Sequence, residues 1–385
     1  MHKLQIFSVA KLAAVVIRLV RPKSTGGRPS APLGSRLLTN PDDIFKHNMW
    51  DHVEWTEEDK ENARQRAEEN SRAQLPLNEQ GTFDTEASQY WDTFYEKHQD
   101  KFFKDRRWLF FEFPELLPSG AKDRDTKGHQ QAPIPPSRAS STDTQTGHRH
   151  RCDPRFRDTF HRQESRQEPA PEENEVNAES STFPGQHASF RILEVGCGVG
   201  NSVFPIVNNI TESDAFLYCC DFSPRAIQLV KDHADYDGSV CHAFVHDICE
   251  ETASFPFPPQ SLDVILAVFV LSSIHPDRMQ GVVNRLCAHL KPGGTFLFRD
   301  YGRYDFSQLR FKKGRCLSEN FYIRGDGTCV YFFTKEDIHD LFSKAGLEEI
   351  QNLEDRRLQV NRGKRVAMHR VWMQSKYRKS CPPSS

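Results

Sequence analysis

A doubly wound α/β sheet with mostly parallel strands is predicted by three features of the second half of the chain. The first is Phe190 to Pro205, FRILEVGCGVGNSVFP, where an apolar run stops at Gly196, Gly198 and Gly200 and resumes as a helix-like apolar segment. This reads as a buried strand, a tight turn and a helix. The second is a series of short apolar runs that each end on an acid or a turn: Phe216 to Cys220 before Asp221, Phe244 and Val245 before Asp247, and Thr295 to Arg299 after the turn Lys291-Pro-Gly-Gly294. The third is Leu262 to Leu271, LDVILAVFVL, a near-continuous apolar run expected of a central parallel strand.

The glycine spacing narrows the ligand. A dinucleotide fingerprint is GxGxxG with a pyrophosphate on the helix N-terminus. This chain has GxGxG preceded by Glu194, which would repel a phosphate. An uncharged nucleoside with a polar tail fits better. Asp221, at the tip of the second strand, is placed to accept both ribose hydroxyls. Asp247, at the tip of the third, is placed to take an adenine amine.

Length and composition bound the rest. The 385 residues accommodate an α/β domain of about 200 residues plus a further region. With a net charge of −2, any nucleic-acid surface is local. The ten cysteines include no CxxC pair, so they form neither a disulfide frame nor a zinc site and point to a reducing compartment.

Residues 1–32 carry no acid, and Lys3, Lys11, Arg18 and Arg21 gather on one helical side opposite Leu12, Val15, Val16 and Leu19. This is the composition of a mitochondrial transit peptide, with matrix localisation as the expectation and a basic tail on a cytoplasmic protein as the alternative. The apolar core from Leu12 to Ile17 is too short to span a membrane. Residues 33–117 are rich in charge and aromatics and are expected to form a helical module. Within it Trp91, Phe94 and Tyr95 recur at helical spacing, and an aromatic pair one turn apart can close over an adenine or a sulfonium centre. Phe102 to Trp108, FFKDRRW, sets Lys104, Arg106 and Arg107 among rings, a mixture suited to unstacked bases and phosphate. Residues 118–188 read as an unfolded linker dominated by Pro, Ser, Gln and charge, and 379–385 as a tail.

Beyond the fifth strand lie Arg299-Asp-Tyr-Gly-Arg-Tyr-Asp305 and a hairpin expected at Asp326-Gly327. A helix capped by Thr334 and a second hairpin about Asn361-Arg-Gly363 follow. Arg310, Lys312, Lys313, Arg315, Arg324, Arg356, Arg357, Arg362, Lys364 and Arg365 form a basic series that together would track an RNA backbone.

The segments EVGCGVGNSVFP, YCCDFSP, VFVLSSIHPDRM, KPGG, FRDYGRYD, RFKKG and NFYIRGDGT, with YWDTFYEKH and FFKDRRW upstream, resemble the tRNA 3-methylcytidine methyltransferases over residues 33–117 and 189–378. The transit-like start followed by APLGSR and HNMWDHVEW is most similar to the mitochondrial member. The resemblance implies a class I S-adenosylmethionine-dependent methyltransferase fold, Rossmann-like with a mixed seven-stranded sheet, and an N-terminal helical RNA-binding module. It implies that the cofactor contacts fall on Trp91, Tyr95, Gly196, Asp221, Asp247, Ile248 and Val268. The implied substrate is cytosine at position 32 in the anticodon loop of threonine-, serine- or arginine-type tRNAs. In some members seryl-tRNA synthetase is a partner.

Cytosine N3 carries an in-plane lone pair, so no general base is needed before methyl transfer. Alignment and an acceptor for the charge that develops on the base are expected to supply the rate. Asp300 is the catalytic candidate, with Arg299, Tyr301 and Arg303 shaping the pocket or holding phosphate; a structural strand-end carboxylate paired with an arginine is the alternative. An amine methyltransferase of DNA or RNA would carry a DPPY-like tetrad where this chain has VLSSIH. A small-molecule or protein methyltransferase leaves the aromatic, basic N-terminal region without a role. A non-catalytic RNA-binding protein would not need the complete set of glycines and acids.

Overall fold

The computed structural model describes residues 34–118 and 182–381. The expected transit peptide and nearly all of the expected linker lie outside them. The described chain divides into two units, residues 34–60 with 355–370, and residues 61–354 with 371–381. The expected module of 33–117 is therefore shared between the two units.

The smaller unit holds β1 (Met49–Trp50), and its pairing partner is the far part of a long strand, with Met49 opposite Gln359 and Trp50 opposite Leu358. Three members of the expected RNA-tracking series are engaged here. Arg357 is buried, 3.3 Å from Asp51 and 2.9 Å from Asp355, while Arg356 lies 5.0 Å from the Trp55 ring and Arg365 4.5 Å from the Phe45 ring. Arg362 and Lys364 are exposed.

The larger unit opens with α1 (Glu57–Ser71, which begins in the smaller one), α2 (Leu77–Thr85), α3 (Ala87–His98) and α4 (Leu109–Glu112). The sheet then alternates with helices: β2 (Phe190–Val195), α5 (Val203–Ile210), β3 (Ala215–Asp221), α6 (Pro224–Lys231), β4 (Cys241–Val245), β5 (Leu262–Val268), α7 (Pro276–His289) and β6 (Leu290–Tyr301). After α8 (Phe306–Leu309), a three-stranded sheet of β7 (Cys316–Ser318), β8 (Phe321–Ile323) and β9 (Cys329–Tyr331) turns at Asp326-Gly327 as expected. Then come α9 (Lys335–Lys344), β10 (Leu347–Asn361) and β11 (Val366–Lys379). The expected cap on α9 is a full capping box between Thr334 and Asp337.

The main sheet of this unit has the order β10-β11-β6-β5-β2-β3-β4. β6 to β4 are parallel, and β11 joins β6 antiparallel with Trp372 opposite Tyr301. This is the class I methyltransferase form of the Rossmann-like fold. Strand β3 is buried throughout because alternate residues feed two cores. Phe216, Tyr218 and Cys220 join the core that includes Met279, Val282 and Phe342, while Leu217 and Cys219 join Leu109, Phe113, Val203 and Ile227. From β2 the chain moves outward through β3 to β4, then returns to the other side of β2 as β5 and β6. The strand order reverses between β2 and β5, and that switch point opens a crevice at the carboxyl ends of the strands.

The unfolded character expected of 118–188 stops short of its last residues. Gly185, at φ 71°, lies against the Phe216 ring, its carbonyl accepts from Arg191 Nε at 3.0 Å, and the Pro184 carbonyl accepts from Tyr218 Oη. Among the described residues no helix is long and apolar enough to cross a membrane.

Candidate active site

The crevice is a cleft with about 830 Å³ of empty volume, counting the space open to solvent. Gly196, Asp221, Asp247 and Ile248 line it from the strand ends, and Trp91 and Tyr95 line it from α3. Six of the seven expected cofactor residues thus meet in one place. The seventh, Val268, is 2 % exposed and packs into the core; Phe269, at φ 61°, turns the chain so that Phe269 and Val270 face the cleft instead.

Asp221 is the fixed point of the site. It is 5 % exposed, its Oδ2 accepts from the Gly198 N–H at 2.9 Å, and its Oδ1 accepts from the Ser223 N–H at 3.0 Å. Burial pushes its carboxyl up to about 6, against the pull of those N–H groups. Gly198, at φ 54°, permits the turn, and a Cβ there would sit 2.9 Å from Tyr95 Oη. The Trp91 and Tyr95 rings lie 5.7 Å apart and 31° from parallel. Burial, with Asp221 nearby, pushes the Tyr95 phenol well above its usual range and keeps it a neutral donor. Asp247 uses Oδ1 to accept from the Cys249 N–H at 2.8 Å.

Among the residues expected at the substrate, two arginines are turned inward. Arg106 has a side chain only 14 % exposed; its Nη1 donates to Ser202 Oγ at 2.7 Å and lies 3.5 Å from Glu194 Oε1. Glu194 is fully buried and faces this arginine, so repulsion of a phosphate is not its role. Arg299 is 4 % exposed, sandwiched 5.0 Å from the Trp108 ring and 4.8 Å from the Trp372 ring, and donates to Gln374 Oε1. It is a buried cation stacked between two indole rings. Arg303 is half-buried, 3.7 Å from Glu319, and Tyr301 is half-buried, 5.0 Å from the Phe269 ring. Lys104, Arg107, Arg310, Lys312 and Lys313 are exposed, as are Phe102 and Phe103.

Asp300 is fully buried and does not line the cleft. Its Oδ2 accepts from the Ser272 N–H at 3.0 Å and its Oδ1 from the Tyr301 N–H at 2.8 Å. Burial pushes the carboxyl up to about 6. Backbone N–H groups hold this residue, with the Ser272 side chain and the charge of Arg324 adding to them. It ties β6 to the loop after β5, whose Phe269, Val270 and Ser273 form one cleft wall.

Other contributors to the cleft and its support were not expected, Ser88, Asp92 and Phe269 among them. Ser88 and Asp92 flank the aromatic pair on α3, and Ser88-x-x-Trp91-Asp92-x-x-Tyr95 is a helical stripe readable in the sequence. Phe269 carries no such signal, because its positive φ comes from the exit of β5.

The residues fit S-adenosylmethionine. The glycine turn has positive φ where the ligand's tail must approach the backbone, and the clamped Asp221 faces a neutral tyrosine and a tryptophan. Fold and cleft together define an S-adenosylmethionine-dependent methyltransferase, and a family described as a methyltransferase domain matches residues 148–352. The tRNA N(3)-cytidine methyltransferase METTL2 of Danio rerio is 50 % identical over 356 residues, covering 91 % of this chain and 90 % of that protein. METTL2B of Homo sapiens, with the same description, is 48 % identical over 360 residues, covering 91 % and 93 %. The mitochondrial METTL8 of Mus musculus is 46 % identical over 261 residues, covering 66 % and 91 %. The chain belongs to the tRNA N(3)-cytidine methyltransferase family.

Proposed function

We propose that the protein methylates N3 of cytosine 32 in the anticodon loop of tRNA, acting in mitochondria on threonine- and serine-type tRNAs. The observation that carries the reading is the cleft: an acid clamped by the glycine turn beneath the Trp91 and Tyr95 rings, in a chain about 50 % identical to proteins named for this reaction. When bound, the cofactor supplies an electrophilic methyl group. Asp221 accepts the ribose hydroxyls, Asp247 and Ile248 meet the adenine, and Trp91 and Tyr95 exclude water. The cytosine, unpaired in a loop, is presented at the wall made by Phe269 and Val270. Its in-plane lone pair needs no base, so alignment supplies the rate. Asp300 acts by fixing the Ser272 loop. The exposed Lys104, Arg107, Arg310, Lys312 and Lys313 hold phosphates, and Tyr301 and Arg303 border them.

Mitochondrial action rests on the acid-free, basic start of the chain and on the METTL8 relative named mitochondrial. Residues 1–32 serve as the targeting segment, and residues 33–117 carry tRNA contacts and close the cofactor cleft. The test is labelled S-adenosylmethionine given with mitochondrial or cytosolic tRNA, followed by mass spectrometry of nucleosides. Label in 3-methylcytidine of the mitochondrial pool supports the reading, and label confined to the cytosolic pool supports the cytoplasmic alternative acting on threonine and arginine tRNAs. No label in either pool, with and without seryl-tRNA synthetase, overturns it. A reporter fused behind residues 1–32 that stays diffuse removes the targeting role.

A further inference from the structure

We propose that Asp92 is a positioning residue for the cofactor: it docks α3 onto the turn that carries Asp221, and so sets how tightly the cleft holds S-adenosylmethionine. The inference rests on the cofactor reading of that cleft.

Ser88, Trp91, Asp92 and Tyr95 stand at i, i+3, i+4 and i+7 of α3, one continuous helical face. Trp91 and Tyr95 carry this face into the cleft. Ser88 and Asp92 carry it onto the chain between β3 and α6. Ser88 Oγ donates to the Phe222 carbonyl at 3.3 Å, and Asp92 Oδ1 accepts from Ser223 Oγ and from the Arg225 N–H at 3.4 Å.

Ser223, fully buried, is the link. Its Oγ caps α6 by accepting from the Ala226 N–H at 3.0 Å while donating its own proton to Asp92, and its N–H donates to Asp221 Oδ1. With the Gly198 N–H on Asp221 Oδ2, a continuous chain of hydrogen bonds runs from α3 through Ser223 and Asp221 to the glycine turn. The aromatic pair and the ribose acid are held in one frame, although about a hundred residues of sequence intervene before the sheet begins. Asp92 also sets a second carboxylate near Asp221, an arrangement that opposes ionisation of Asp221.

The test uses the full chain and calorimetric titration with S-adenosylhomocysteine. Asp92→Ala is expected to weaken binding by about tenfold or more, the range of a lost hydrogen bond to a charged group. Asp92→Asn keeps an oxygen for Ser223 and should recover most of that affinity. Ser223→Ala, which also loses the cap of α6, should weaken binding at least as much as Asp92→Ala, and the double variant should be no weaker than the worse single one. In the transfer assay the KM for S-adenosylmethionine rises while kcat at saturating cofactor stays near wild type, a split that general misfolding does not give. Wild-type affinity in Asp92→Ala, or an Asp92→Asn variant as weak as Asp92→Ala, overturns the proposal. Asp221→Ala separates the two claims: if it loses binding while Asp92→Ala does not, only the positioning role fails, and if it binds as wild type, the cofactor reading fails as well.

Discussion

Arg106 Nη1 lies 3.5 Å from Glu194 Oε1, and this buried pair joins the segment after α3 to the strand that leads into the glycine turn. Burial pushes the Glu194 carboxyl up to about 7 even though Arg106 pulls the other way. A folded-state value raised above the ordinary 4.5 means that the stability contributed by Glu194 is full below about 4.5 and is lost as pH rises through about 7. Arg106→Ala removes the opposing cation, so Glu194 must either take a proton or stand uncompensated. Urea unfolding is expected to show a loss of about 3–5 kcal/mol at pH 8 and a smaller one at pH 6, where protonation relieves the buried charge. Equal losses at the two pH values would show that Glu194 does not sense Arg106.

Asp221 should govern a pH dependence of cofactor binding. Two ribose hydroxyls require an ionised acceptor, and burial pushes this carboxyl up to about 6. Affinity for S-adenosylhomocysteine is therefore expected to be level above about pH 7 and to fall about tenfold per unit below 6. Because the ribose needs the ionised carboxylate, the ligand should raise the melting temperature more at pH 7.5 than at pH 5.5. Asp221→Ala should abolish binding at every pH. A flat calorimetric profile across pH 5 to 8 would assign the ribose contact to another group.

The strand ends were legible in the sequence for a physical reason. A buried strand must be apolar, so an acid that closes an apolar run stands at its mouth, and Asp221 and Asp247 both do. The hairpin at Asp326-Gly327 and the cap at Thr334 follow from local chemistry and formed as expected. The arginines were not legible. Arg106 and Arg299 stand in charged, aromatic segments that look like RNA contacts, but a long side chain can turn inward when the fold provides an acid or two indole faces. Those partners, Glu194 and Trp372, are distant in sequence, so no local pattern announces them. Lys312 and Lys313, by contrast, flank a turn and stay exposed.

The approach of Tyr95 to Gly198 gives a paired test. Gly198→Ala would hold a side chain at φ 54° with its Cβ 2.9 Å from Tyr95 Oη, so α3 must give way. The backbone penalty alone is about 1–2 kcal/mol. Binding of S-adenosylhomocysteine is expected to fall by more than about thirtyfold, beyond what about 2 kcal/mol of strain explains. Adding Tyr95→Phe removes the clashing oxygen and should restore part of the loss in Gly198→Ala while slightly weakening the parent. If the double variant is weaker than Gly198→Ala alone, the tyrosine hydroxyl matters more as a ligand contact than as a neighbour of the turn.

The two kinds of arginine and lysine should separate by salt dependence. A cation on an RNA phosphate releases a counterion, so its removal lowers the slope of log affinity against log salt by roughly 0.7–0.9 per contact. Lys312→Ala and Lys313→Ala, both at exposed positions, are expected to lower that slope for tRNA. Arg299→Met should leave it unchanged, because the guanidinium lies between two indole rings, and a flexible methionine fills part of that space. Its cost belongs to stability, through the lost partner of Gln374. Filter binding of tRNA from about 50 to 200 mM salt reads the slopes, and thermal unfolding reads the stability. A reduced slope in Arg299→Met would mean that the arginine leaves its indole cage when RNA arrives.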